Sequence, residues 1–334
     1  MKLLLTLPSV RLLFILRITR PVSAAESTSF VFNGFQENNI SLNGVAEIHD
    51  RLIKLTNASY HFGHAFYSSP LLMRGSNAHT VSSFSTIFVF CISPMDRKQK
   101  LGGHGMAFVM APSMSLDGAF PSQFLGLLNL INNNSSHIHL FAVEFDTVKN
   151  HRFADIDDNH VGVNVNSMVS AHAEKAGYWT TQSNASYEKF KTEIKLKSEK
   201  VIQGWIDYDG HSQVLNVSIA PVGSAHPSIP LISVNLDLWD VFEEQMYVGV
   251  TPQRGGSLGH TSAAHMELQQ QWRGTKLGFI IATISVFISS SFLDNRVQNR
   301  NQLYECDSVV RCLQSCRLAP VHEEPEGGSG RLGA

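Results

Sequence analysis

Short β-rich runs separated by turn residues are the feature that most limits how this chain can fold. Asp209-Gly210 stands between two of these runs, and this dipeptide favours a tight hairpin. Evenly spaced short strands without a 3.6-residue helical period indicate an all-β sandwich or jelly roll. The predicted strands cover Val81 to Ile92, Met106 to Met110, Leu140 to Val148, Val161 to Val165, Val201 to Tyr208 and Val214 to Ala220.

The composition fits one large β domain and argues against some partners. Apolar residues make up 43 % of the 334-residue chain, which is enough for a sizeable core, and 20 phenylalanines suit strands better than helices. Charged residues make up only 16 %, and the formal net charge is −2. This charge gives no reason to expect nucleic acid or a strongly basic membrane surface as the main partner.

Residues 1–25 have the character of a secretory signal peptide. Lys2 opens a run of leucines, and Val22 to Ala25 supplies the small residues at which a signal peptidase cuts, although Arg11 and Arg17 interrupt the apolar stretch. Sequons for N-glycosylation also favour the secretory pathway. They begin at Asn39, Asn57, Asn133, Asn134, Asn184 and Asn216.

The composition changes after Trp272. Residues 277–293 carry no charge and predict a single transmembrane helix, although 17 residues with four serines lie at the short limit for a span. Residues 294–334 predict a short disordered tail. We expect residues 26–270 to be an extracellular domain at the plasma membrane, or a secreted domain if 277–293 does not span.

The segment Phe141 to Ser170 carries the chemistry. The two-residue period of a strand puts Glu144 and Asp146 on one face, where two carboxylates repel each other unless they are protonated or neutralised by a cation. Candidate ligands on or beyond the following loop are Asn150, Asp155 and His160. Imidazole with carboxylates suits Mn²⁺, and carboxylate, amide and carbonyl oxygens suit Ca²⁺. On spacing alone, an acidic solvated turn remains an alternative.

This segment resembles the metal loop of the legume lectins. The family pattern is a Glu, an Asp two residues later, a backbone oxygen two later, an Asn two later, an Asp five later and a His five later. Every interval is met here by Glu144, Asp146, Val148, Asn150, Asp155 and His160. The resemblance implies one Mn²⁺ and one Ca²⁺.

The resemblance also implies a role for each ligand. Glu144 and His160 would serve only Mn²⁺, and Asp146 and Asp155 would bridge both ions.

The remaining members of the pattern concern the Ca²⁺ and a water. The side chain of Asn150 and the carbonyl of Val148 would complete the Ca²⁺ shell. Ser170 falls where the family holds a manganese-bound water.

The resemblance covers most of residues 29–250 and fades after 250. The segments SFVFNGF, GGHGMAFVMAP (102–112), SQFLGLLN, GWIDYDG, LNVSIAP and MYVGV look most like the ectodomains of plant L-type lectin receptor kinases. We expect the kinase to be missing, because nothing after residue 293 offers a Gly-rich nucleotide loop, an HRD-type loop or a DFG motif.

The predicted saccharide site departs from the family pattern. Asn150 is retained, but His104 stands where the family has an Asp, and neutral histidine is not a bidentate anionic acceptor. Gln123 replaces a helpful glycine, and Phe153 is either a ligand-contacting ring or a core residue. Residues 251–272 do not continue as the family does, and Gln269 to Gln271 spoil strand alternation. An unpaired edge there invites association, so a homodimer is among the expected assemblies.

We predict a carbohydrate-binding cell-surface domain ordered by Ca²⁺ and Mn²⁺, with weak or altered affinity for a glycan or cell-wall saccharide. One alternative is a kinase-less receptor or decoy ectodomain that binds a peptide, a small apolar molecule or another receptor. Another is a carbohydrate-active enzyme, which needs two carboxylates flanking a cleft. The carboxylates here are assigned to metal, so we predict no catalytic residues.

Overall fold

The structure is a computed structural model, and it describes residues 30, 32, 34–55, 63–75, 80–92, 105–181, 189–198, 200–253, 263–273 and 279–289. Within these ranges the chain forms 18 strands and three short 3₁₀ helices, and no α-helix. The predicted all-β class is therefore confirmed.

The first nine strands run up to the segment of the predicted metal loop. They are β1 (Ile40–Gly44), β2 (Glu47–His49), β3 (Leu52–Lys54), β4 (Gly63–Tyr67), β5 (Leu71–Leu72), β6 (Phe84–Phe90), β7 (Gly105–Ala111), β8 (Phe141–Asp146) and β9 (His160–Val165). The 3₁₀ helices are η1 (Ser122–Phe124), η2 (Ser136–Ile138) and η3 (His151–Phe153).

The remaining nine strands complete the described chain. They are β10 (His172–Lys175), β11 (Gly177–Thr181), β12 (Lys189–Glu193), β13 (Ile202–Asp209), β14 (Val214–Pro221), β15 (Ile232–Asn235), β16 (Gln245–Gln253), β17 (Ala263–Arg273) and β18 (Phe279–Ser289).

Two large sheets form the sandwich. The front sheet has eight strands in the order β1-β4-β16-β7-β8-β9-β10, with β5 paired to β16. The back sheet has six strands in the order β15-β14-β13-β6-β18-β17. Neighbours in the sheets are often distant in sequence, as in β7 beside β16, which is the connectivity expected of a jelly roll rather than of simple hairpins.

Aromatic rings fill the space between the two sheets. Phe88 and Phe90 on β6 of the back sheet meet Phe145 on β8 of the front sheet, with ring centroids 5.5 and 4.7 Å apart, and all three side chains are buried. Each aromatic pair contributes about 0.5–1.5 kcal/mol beyond its buried area. This layer holds the centre of the front sheet in a fixed position.

The other face of the front sheet is also covered. Phe124, Leu125 and Phe153 come from the segments between strands and pack with Ala107 and Ala142 in a second apolar cluster. Strands with two covered faces should be apolar throughout rather than alternating, and every residue of β7 and β8 is buried. A carboxylate on β8 is therefore kept away from water on either face.

The connection between β13 and β14 is a hairpin, as predicted, but a longer one. Asp209 pairs with Val214, so four residues rather than two form the loop, and the positive φ of 57° falls on Gln213. The Asp209 carboxylate accepts hydrogen bonds from the backbone N–H of His211 and Ser212. Gly210 is needed because a Cβ there would lie 1.8 Å from the carbonyl oxygen of Val81.

Strand β18 occupies most of residues 277–293, for which the sequence predicts a transmembrane helix. It pairs antiparallel with β17 and in parallel with β6 over Ile281 to Thr283. No helix among the described residues is long and apolar enough to cross a membrane. The difference has a plain cause, since eight of the 11 residues of β18 are β-branched or aromatic and so favour a strand.

We predict that Gly210→Ala lowers the free energy of unfolding by about 1–3 kcal/mol, because the added methyl group overlaps backbone. Gly75→Ala is the matched control, since a Cβ at Gly75 meets nothing within 4 Å and should be close to neutral. Urea unfolding of the two purified variants checks this, and equal midpoints would contradict the described packing of Gly210.

Candidate metal centre and ligand site

Successive side chains of β8 point to opposite faces of the sheet, as the two-residue period predicts. Phe141, Val143 and Phe145 belong to the core between the sheets. Ala142 lies in the second apolar cluster on the opposite face, so Glu144 also points to that face. The side chain of Glu144 is only 2 % exposed.

Three of the predicted ligands meet at the ends of β8 and β9. Asp146 pairs with His160 across the two strands, and one ligand atom from each of Asp146, Asp155 and His160 lies within 4.8 Å of the others. The Nε2 atom of His160 is 3.7 Å from an oxygen of Glu144. Residues 14 positions apart are thus brought into one small volume by antiparallel pairing and the return of the loop.

The imidazole of His160 has one ring nitrogen held by a hydrogen bond and, within the part of the chain that the structure describes, the other free of hydrogen bonds. Its Nδ1 lies 3.0 Å from the backbone carbonyl oxygen of Asp157, a contact in which Nδ1–H donates. Its Nε2 is buried and has no hydrogen-bond partner among the described residues. A buried polar atom without a partner costs about 1–3 kcal/mol. A cation bound at Nε2 removes this cost, so the donor set fits a metal ion.

The carboxylates of this cluster repel one another when no cation is bound. Burial, and next the charge of Glu144, raise the pKa of Asp146 well above its usual range. Burial also raises the pKa of Asp155. For His160 burial acts to lower the pKa, but the close approach of Glu144 and the negative charges of Asp146, Glu144 and Asp155 outweigh it and raise the pKa to about 9. The cluster therefore holds protons that a divalent cation can replace.

The loop after β8 is folded around its own carboxylates. Asp146 accepts a hydrogen bond of 2.6 Å from the backbone N–H of Val148, and Asp155 accepts one of 2.6 Å from that of Asn150. The side-chain oxygen of Asn150 accepts from the N–H of Arg152 and so caps η3. These bonds keep the backbone of residues 146–155 close to the cluster.

Two of the predicted ligand-contacting residues come together. The Nδ2 of Asn150 donates to the Oε1 of Gln123 at 2.7 Å, which joins the metal loop to η1. Phe153 is buried, 5 % exposed, with its ring 5.2 Å from that of Phe124 in the second apolar cluster. His104 lies outside the described residues.

Asn164 is a site residue that the sequence reasoning missed. Its Nδ2 donates to Glu144 at 3.2 Å, and the hydroxyl of Ser170, which donates to Glu144 at 2.5 Å, lies 3.2 Å from its Oδ1. Gly162 leaves the room for this arrangement, because a Cβ there would lie 2.5 Å from Glu144. The sequence did contain a signal for this residue: Asn164 is polar, lies in the apolar strand HVGVNV, and is on the same face as Gly162.

The predicted glycosylation sites differ in their surroundings. Asn39 and Asn134 are exposed, whereas Asn133 and Asn216 are half-buried. The side chain of Asn133 also accepts from the N–H of Met168 at 2.8 Å. Asn57 and Asn184 lie outside the described residues. Exposure therefore favours Asn39 and Asn134 as acceptors.

Comparison with known proteins places the chain among lectins. The family model described as "Legume lectin domain" matches residues 27–269, which extends past residue 250, where the sequence predicts that the resemblance fades. The L-type lectin-domain containing receptor kinase V.9 of Arabidopsis thaliana is 43 % identical over 238 residues, covering 71 % of this chain and 34 % of the relative. The chain thus spans about a third of the length of the curated relatives it matches.

Solved lectin structures share the fold. Winged bean acidic lectin complexed with methyl-α-D-galactose has a TM-score of 0.54 and 27 % identity, with 70 % of this chain and 92 % of that one covered. Peanut lectin with a nonamer peptide has a TM-score of 0.55 and 25 % identity, with 70 % and 93 % covered. These matches confirm the predicted sandwich type.

We predict that Mn²⁺ binding at pH 7 releases protons, including one from His160, because a pKa of about 9 keeps the ring protonated and a ligating Nε2 must be neutral. The release should vanish as the pH rises above 9. Titration calorimetry in buffers of different ionisation enthalpy measures it. The exposed His172→Gln is the control and should leave the release unchanged, whereas heats that do not depend on the buffer in the wild type would contradict the prediction.

Proposed function

We propose that this chain, which belongs to the legume lectin domain family, is a carbohydrate-binding domain whose ligand loop is kept in shape by bound cations. The observation that carries the proposal is the buried cluster of Asp146, Asp155 and His160, with a partnerless Nε2 beside Glu144. The same loop carries Asn150, which contacts Gln123. Cation binding and ligand recognition therefore fall on one segment.

Each ligand has a proposed role. Glu144 and His160 would hold Mn²⁺, Asp146 and Asp155 would bridge the Mn²⁺ and one Ca²⁺, and the Ca²⁺ shell would include Asn150 and the carbonyl of Val148. The cations supply positive charge and fixed geometry only. The chain's own contribution is to exclude water from Glu144 and His160 and to fix the ring of His160 through the carbonyl of Asp157.

Saccharide hydroxyls would be recognised at Asn150 and Gln123. An amide side chain has two donor hydrogens and an oxygen with two lone pairs. Asn150 uses one donor hydrogen on Gln123, so its second donor hydrogen is left for a hydroxyl, while its oxygen accepts from the Arg152 N–H and would serve the Ca²⁺. Because His104 replaces a carboxylate in the family pattern, we propose that the affinity is weak or altered. The galactoside in the winged bean complex makes a neutral pyranose the first ligand to test.

The relatives suggest the setting in which the domain acts. The curated relatives of this chain are named receptor kinases, so we propose an extracellular domain of the secretory pathway that recognises ligands without covalent chemistry. Glycosylation at exposed sequons and a homodimer remain part of this proposal. Strand β18 occupies most of the segment 277–293, so the proposed extracellular setting rests on the relatives.

A second candidate function is capture of a peptide or a small apolar molecule. Apolar side chains are exposed on the segments that cover the front sheet: Ile131 is 94 %, Leu130 is 53 % and Phe120 is 43 % exposed. Peanut lectin has been solved with a nonamer peptide. Such a ligand would contact these side chains and would not need the cations.

We predict that Gln123→Ala weakens saccharide binding about fivefold and leaves the metal content unchanged, because one hydrogen bond that orients Asn150 is lost. Asn150→Ala should abolish binding. Asn235→Ala, an exposed asparagine on the back sheet, is the matched control. A glycan array followed by calorimetry on its best neutral saccharide, with and without EDTA, provides the measurement. Saccharide binding that survives EDTA and both site variants would contradict the proposed cation-ordered site, and the absence of any saccharide binding would favour the second candidate.

A further inference from the structure

The residues that follow β12 run beside residues 146–160, which we call the cation loop, and they are themselves packed into the core. We call residues 194–197 the brace. Ile194 and Leu196 are 8 % and 0 % exposed and belong to the core between the sheets. The backbone N–H of Ile194 also donates to the carbonyl of Ala176 at 3.0 Å. The brace is therefore anchored in the main core.

The brace grips the end of the cation loop through Asn159. The side-chain oxygen of Asn159 accepts from the N–H of Leu196, and its Nδ2 donates to the carbonyl of Ile194, both at 2.9 Å. The carbonyl of Asn159 accepts from the N–H of Ala176 at 2.9 Å. Asn159 directly precedes His160, so these bonds fix the point at which the imidazole enters the cluster.

The brace grips the start of the loop through Lys197. The Nζ of Lys197 donates to the carbonyl oxygen of Thr147 at 3.1 Å, and Thr147 directly follows Asp146. Burial lowers the pKa of Lys197, against the opposing effects of Asp158 and Asp146. Burying half of an ammonium group is costly unless it makes a specific bond, and the carbonyl of Thr147 provides that bond.

We propose that Asn159 and Lys197 are positioning residues, and that through them the brace holds both ends of the cation loop in their binding geometry before any cation arrives. Asp146 and His160 pair across β8 and β9, and the brace fixes the residue next to each of them. A preformed site does not spend binding free energy on ordering the loop. The inference rests on the proposed function, because it concerns the affinity for the proposed cations.

The test compares Asn159→Ala and Lys197→Met with Lys195→Met, an exposed lysine within the same segment that serves as the matched control. The two readouts are calorimetric titration with Mn²⁺ and Ca²⁺, and amide hydrogen exchange of residues 147–158 in the metal-free full chain. We expect Asn159→Ala to weaken cation binding about tenfold and to speed loop exchange about tenfold, with the control unchanged.

The positive charge of Lys197 makes the expected results for Lys197→Met and Asn159→Ala different. Lys197→Met also removes a positive charge that repels the entering cations, so its loss of affinity should be smaller than that of Asn159→Ala, although its loop exchanges as fast. Both variants should regain the wild-type exchange pattern when saturated with cations.

The outcomes are distinct. Unchanged cation affinity and loop exchange in both brace variants, in a wild type that binds both cations, would overturn the brace and leave the proposed function intact. Faster exchange throughout the chain would show a general structural role and would also overturn the positioning role. A wild type that binds neither cation would overturn the proposed function itself.

Discussion

The repulsion among buried carboxylates is the constraint on which the rest of this site depends. Glu144 and Asp146 point to the same face of a strand whose residues are all buried, and Asp155 returns to them from the loop. Without a cation, protons held by Asp146 and His160 offset part of this charge, as the raised pKa values of these two groups indicate. A protein that places so much negative charge away from water gains free energy from bound cations.

The fold creates this situation by covering both faces of the front sheet. Phenylalanines from the back sheet pack on one face, and the segments around η1 and η3 pack on the other. The same segments carry Gln123 and Asn150, so the cover over the carboxylates is also the candidate ligand surface. Burial of charge and presentation of polar groups to a ligand are thus two consequences of one packing arrangement.

Much of this could be predicted from the sequence because the information was local. Alternation placed Glu144 and Asp146 on one face, and the intervals to Asp155 and His160 matched a known loop.

Long-range contacts left no such signal: Lys197 reaches Thr147 across 50 positions, and Leu196 reaches Asn159 across 37. Gly210 lies against the carbonyl of Val81, which is distant in sequence. The helix prediction for 277–293 could not take into account the pairing of β18 with β6. Phe153 was ambiguous because an aromatic ring suits a core as well as a ligand.

The most direct measurement of the central claim is calorimetric unfolding of the chain stripped of metal, compared with the same chain saturated with Mn²⁺ and Ca²⁺. A cation that binds only the folded state stabilises it by about 2.7 kcal/mol at a free concentration of one hundred times Kd. We expect the melting temperature to rise by several degrees with both cations present. A stripped protein that melts at the same temperature as the loaded one, with no cation retained after gel filtration, would contradict the account.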